Sequence, residues 1–158
     1  MDGAALPAAR ADYEHDFHAW ALEQGALLRA GRLSEADLEH LAEEIERLAK
    51  KVERGIRSRL RVLLAHLLKW EVQPDLRCRS WKSTIDEQRE KLVGLFEDNP
   101  SLAARWDDHL KYAYPKAVGA ASTDTGIVRD RFRLVSLWTR EQILSEDFFP
   151  GDTLPMRD

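Results

Sequence analysis

The chain has 158 residues, a formal net charge of −4, 44% hydrophobic and 33% charged residues, and one cysteine, Cys78. That length supports one sizeable core, a lone thiol excludes an internal disulfide and a cysteine-built metal cage, and the longest apolar runs, such as Val62-Leu63-Leu64-Ala65, fall far short of the ~20 residues that cross a bilayer. Abundant Ala, Leu, Glu and Arg with few β-branched residues predict an all-α fold.

Met1 to Ala11 has no apolar period and reads as a flexible lead-in; it lacks the apolar stretch of a secretory signal, so the expected location is the cytoplasm. From Asp12 onward, Tyr13, Phe17, Trp20, Gln24, Leu27 and Leu28 recur at helical spacing and predict a first helix stopped by Gly31. Ser34 and Asp37 have capping-box spacing and predict a second helix from Glu35. Its apolar residues Leu38, Leu41, Ile45, Leu48 and Val52, then Ile56, Leu60, Leu63 and Leu67, form a seam that slips near Gly55, where either one helix bends or two meet. Pro74 ends it.

Trp81, Ile85, Leu92, Leu95 and Phe96 define a third helix, and Asn99-Pro100 supply the cap and first residue of a fourth with the stripe Leu102, Trp106, His109, Leu110 and Ala113. Pro115 predicts a kink or early end near Tyr114, and Ala121 to Arg131 reads as a connector. Thr139 and Gln142 repeat the capping-box spacing and open a short C-terminal helix through Leu144. The expected architecture is a single helical domain over residues 12–150, a bundle around one long second helix, followed by a loose tail over residues 151–158.

Several strings in this order, Asp16-Phe17-His18-Ala19-Trp20, Leu41-Ala42-Glu43-Glu44-Ile45-Glu46, His66-Leu67-Leu68-Lys69-Trp70, Arg79-Ser80-Trp81, Gln88-Arg89 and Glu146-Asp147-Phe148-Phe149-Pro150, resemble the bacterial domain-of-unknown-function family numbered twenty-nine. The resemblance covers about Tyr13 to Pro150 and implies a small bacterial helical protein. It assigns no activity and transfers no functional residue.

Charge is unevenly distributed. Residues 47–91 hold 13 Lys/Arg and 6 Asp/Glu, while the remainder hold 11 and 22. The favoured reading is internal neutralisation, with helical pairs such as Glu43–Arg47, Glu46–Lys50 and Glu53–Arg57. The sharper alternative is a nucleic-acid surface built on Arg54, Arg57, Arg59, Arg61, Arg77, Arg79 and Lys82, with Trp81 as a stacking group.

Arg61 and His66 have the Arg-x4-His spacing of small metal-free helical ribonucleases, but on a regular helix they project about 140° apart and cannot converge. Arg59, His66 and Trp70 instead share a stripe, and Trp70, Trp81, Arg59 and Arg79 are the candidate binding residues. His66 reads first as a packing histidine bonded to a neighbouring carboxylate. Asp16 and Glu44 sit at the edges of apolar stripes, where ion pairs or capping of a Trp20 or Trp70 indole N–H are their first roles. The enzyme alternative is a hydrolase or nuclease with His66, Glu44 and Asp16 in one groove. Asp37-x-x-His40 is the nearest approach to a metal motif, no complete ligand set is readable, and neither metal nor cofactor is expected. The leading expectation is a non-enzymatic interaction protein whose partner is another protein or a second copy meeting it through the second helix, with no membrane role.

Overall fold

Asp16 accepts the Ala19 backbone N–H at 3.0 Å and caps the first helix, α1 (Phe17–Arg29), which ends before Gly31 turns left-handed at φ 70°. The computed structural model describes residues 12–133, 136 and 138–151; the expected lead-in, and all but Gly151 of the expected tail, lie outside the described residues. Among the described residues the chain is all-helical with no strand, continuing through α2 (Leu38–Val72), α3 (Arg79–Asp98), α4 (Pro100–Ala103), α5 (Trp106–Thr125) and α6 (Arg140–Leu144), with 3-10 turns at Leu33–Glu35, Pro74–Leu76 and Arg129–Arg131.

Four local expectations are corrected. Ser34 does not open the second helix: it lies in the 3-10 turn, and Asp37 is the cap, accepting the His40 N–H at 3.3 Å. Asn99 does not cap with its oxygen but donates its amide N–H to the Leu95 carbonyl at 2.8 Å, and the predicted fourth helix is divided at Ala104-Arg105 into α4 and α5. Pro115 does not end α5, which runs on to Thr125 and takes in the first half of the expected connector. The carbonyl that Pro115 frees belongs to Lys111, and both residues are exposed, so water can satisfy it. Gly126, at φ 72°, makes the actual stop.

At Gly55 the alternative of two helices is settled: α2 is one element of 35 residues, about 52 Å long at 1.5 Å per residue. The chain divides into two compact units, Met1–Lys51 and Val52–Asp158.

In the second unit α2 contributes the inner ridge. Ile56, Leu60, Leu63, Leu64 and Leu67 are all 0% exposed and pack in one core with Ile85, Leu92 and Phe96 of α3, Ala113, Tyr114, Ala117 and Ala121 of α5, and Ile143 of α6. The alanine step of four residues along α5 presents small side chains to that core and lets helix backbones approach closely. Two buried arginines hold the C-terminal stretch by its backbone. Arg89 donates to the carbonyls of Ile143 at 2.9 Å and Phe148 at 2.6 Å, and Arg77 donates to those of Trp70 at 2.9 Å and of Pro150 and Gly151 at 3.2 Å.

Because these sites are filled to contact, Leu64→Ala should cost about 2–5 kcal/mol of unfolding free energy through cavity formation. Ala117→Leu should cost about 1–3 kcal/mol through overpacking. Urea unfolding followed by circular dichroism checks both, and an unchanged midpoint for either would contradict the core just described.

Candidate interaction surface

In the first unit one side of α2 is polar and occupied. Asp37, His40 and Glu44 fall within about 60° of one another around the helix axis, and the segment from Tyr13 to Gln24 lies against them. The Trp20 indole N–H donates to Asp37 at 3.2 Å, the Asp37 backbone N–H donates to Gln24 Oε1 at 2.8 Å, and the Tyr13 hydroxyl donates to Glu44 at 2.5 Å. The Tyr13 ring stacks on His40 with centroids 4.1 Å apart and meets Trp20 edge-on at 4.8 Å. His40 Nδ1 lies 2.7 Å from Asp37 Oδ2, a bond that raises the histidine pKa above its ordinary value and holds the carboxyl below its own. Beside this cluster opens a groove of about 550 Å³ lined by Tyr13, Trp20, Gln24, Ser34, Asp37 and His40 among others.

The other side of α2 is apolar and bare. Leu38, Ala42, Ile45 and Ala49 fall within about 60° of one another and about 135° round from the polar set. Leu38 is 55% and Ile45 66% exposed, and both alanines are exposed; Leu48, about 60° round from Ile45 toward the polar set, is 62% exposed. The apolar positions on either side of the slip near Gly55 fare differently: Ile56 and the seam leucines beyond it are core, whereas Leu38, Ile45 and Leu48 are exposed and Leu41 is half-buried. The reason is geometric. Tyr13, Trp20 and Gln24 engage Asp37, His40 and Glu44, so α1 is drawn to the polar flank and does not cover the stripe. The patch amounts to roughly 400 Å² of apolar surface, within the range that marks contact surfaces rather than scattered leucines.

The remaining sequence-predicted residues occupy defined places. Asp16 is the α1 cap, and Glu44 is held between the Tyr13 hydroxyl and Arg47, 2.7 Å away, so Arg47 pairs one residue on from the anticipated Glu43. Neither binds an indole; Asp37 takes the Trp20 N–H. His66 belongs to the second unit, and its Nδ1 lies 2.9 Å from the Val62 carbonyl, so the proton sits on Nδ1 and the ring is anchored to its own helix, not to a carboxylate. Burial lowers its pKa. Trp70 is 2% exposed and packs against Phe149 with centroids 4.9 Å apart, and its indole N–H has no partner among the described residues. Trp81 is half-buried under the Lys69 ammonium, 4.8 Å from the ring centroid. Arg59 donates to Gln88 at 3.3 Å, and Arg79 is the exposed first residue of α3.

The basic centre is largely engaged within the chain: Arg57 with Glu53 at 2.8 Å and over the Tyr112 ring, Lys82 with Asp86 at 2.6 Å, and Arg77 inside the core. Links between elements include Lys69–Asp124 at 3.1 Å and Arg105–Glu53 at 3.3 Å. Lys69 is one of the buried cations that sequence reasoning missed, although its place in the run Leu67-Leu68-Lys69-Trp70 was a signal. Among the described residues no three His, Cys, Asp or Glu side chains group as a metal would require, and no helix is long and apolar enough to cross a membrane.

A family model described as domain of unknown function DUF29 matches residues 13–149. No curated protein and no solved structure matches the chain.

Histidine titration checks this electrostatic picture. In NMR pH titrations the His40 midpoint should lie above about 6.5 and those of His66 and His109 below it, with Asp37→Asn returning His40 toward the ordinary value. By linkage, His40 contributes stability that is full below its unfolded pKa and is lost as pH rises through its folded pKa. His66 and His109 contribute stability that is present above the unfolded pKa and is lost as pH falls through their folded values. A His40 midpoint unaffected by Asp37→Asn would contradict the pairing.

Proposed function

The chain belongs to the DUF29 family, a domain of unknown function, and on that premise we propose that it is a non-enzymatic interaction protein that docks a partner helix on the bare face of α2. One observation supports the reading above the others: Leu38 and Ile45, at 55% and 66% exposed, stand in line with two exposed alanines on a well-formed helix. Large apolar side chains that alternate with alanine along about three turns form ridges and hollows suited to a second helix. Scattered surface leucines lack that order. The setting proposed is the bacterial cytoplasm.

The residues grouped by sequence for catalysis have other employment. Asp16 caps a helix and Glu44 is bound by Tyr13 and Arg47. A docking role asks nothing of them beyond holding α1 to the polar flank.

Thiol accessibility tests the proposal. In a Cys78→Ser background, Ile45→Cys should react with a maleimide several-fold more slowly inside expressing cells than in the dilute purified chain, while Glu43→Cys on the charged side should react equally in both. Equal labelling of the thiol introduced at position 45 in cells and in dilute solution would remove the docking reading, whatever the partner.

A further inference from the structure

The docking reading leaves the identity of the partner open, and resting on that reading we infer that the partner is a second copy of this chain, with the two α2 faces crossing antiparallel over residues 38–49. The pattern of the stripe carries the argument. Leu38, Ala42, Ile45 and Ala49 alternate large and small, and they are placed symmetrically about a point between residues 43 and 44. When a second copy runs in the opposite direction about that point, Leu38 meets the partner's Ala49, Ala42 meets the partner's Ile45, and the remaining two layers repeat these contacts. Every large side chain then faces a small one, which gives even spacing and close backbone approach. A parallel copy would set leucine on leucine and alanine on alanine, alternating crowded and empty layers.

Charge points to the same arrangement. Residues 39–46 carry Glu39, Glu43, Glu44 and Glu46 with no lysine or arginine, whereas residues 47–54 carry Arg47, Lys50, Lys51 and Arg54 against Glu53 alone. Antiparallel crossing brings the partner's Glu39 about equally near Lys50 and Glu46 at the rim, where Glu46 is already paired to Lys50 within its own helix at 3.5 Å, so like charge there is offset by the lysine. Parallel crossing would align acid with acid and base with base. Two such patches bury roughly 800 Å² in total, at the low end for protein contacts, so the exchange between one copy and two belongs in the micromolar range or weaker. The Ala-lined stripe is thus a self-complementary surface, its two-fold axis lying between residues 43 and 44.

Two measurements decide the matter, both on the full chain. Sedimentation equilibrium between about 1 and 200 µM should show a monomer–dimer equilibrium that Ile45→Arg abolishes, with helical circular dichroism unchanged because position 45 is outside the core. A chain that stays monomeric throughout overturns the second copy, while protection of the Ile45→Cys thiol in cells would still uphold docking by something else. Oxidative cross-linking then reads direction. In a Cys78→Ser background, mixing a mass-tagged Ala42→Cys chain with an untagged Ile45→Cys chain should give mixed disulfides well above the statistical share. Disulfides confined to like chains would overturn the antiparallel register.

Discussion

The burial of one leucine ridge against three other helices is the interaction on which the second unit rests. From Ile56 to Leu68 that ridge of α2 is closed off from water by α3, α5 and α6. α5 meets it with the small side chains of Ala113, Ala117 and Ala121, all 0% exposed. Lys69 apart, which pairs with Asp124, the charged and imidazole groups drawn into this interior bind backbone carbonyls. Arg77 and Arg89 take the carbonyls of the C-terminal stretch, and His66 and His109 take those of Val62 and Leu102. Hydrophobic burial supplies the driving force, while these bonds fix where the irregular segments lie against the core.

The first unit is organised by a different force. Its ordering centre is a carboxylate: Asp37 caps α2, holds the Trp20 indole, pairs with His40, and through its own backbone N–H binds Gln24. Aromatic stacking of Tyr13 on His40 completes the join. A small unit built on polar and aromatic contacts has no need to bury every apolar residue of its helices, and the stripe from Leu38 to Ala49 is what remains uncovered. The proposed interaction surface is thus a by-product of how α1 is attached.

Much of the fold was legible because helix ends carry local chemistry. Gly31, Pro74 and the Thr139–Gln142 box each act over a single turn, and the structure agrees with all three. What the pattern could not reveal was which stretch of a continuous seam finds a partner. In one dimension Ile45 and Leu64 occupy equivalent stripe positions; they differ only in which helix arrives beside them. Ile45 is bare and Leu64 buried for that reason. Asn99 and Pro100 do stand at the cap and first position of α4, but an amide can give as well as accept, so the Asn99 side chain bonds back to Leu95 instead of capping, and at Pro115 the continuation of the helix turned on solvent access to one carbonyl. The candidate site was half visible. Glu44 and Asp16 were singled out as groove residues, yet Tyr13, Gln24 and Asp37 decide the geometry there. Arg89 could have been found: it occupies a stripe position between Ile85 and Leu92, where an apolar residue belongs.

The two arginine clamps grip main-chain oxygens rather than side chains. An anchor of that kind is blind to sequence: apart from Leu144 and Phe149, whose side chains pack against the core, the identity of the residues from 144 to 151 matters less than that the chain still runs past the same two guanidinium groups. Length is another matter. A polypeptide ending before Ile143 would take both carbonyl acceptors from Arg89 and leave Arg77 only that of Trp70, so two cations would face greasy surroundings under-satisfied; shortening this stretch costs more than exchanging its exposed side chains.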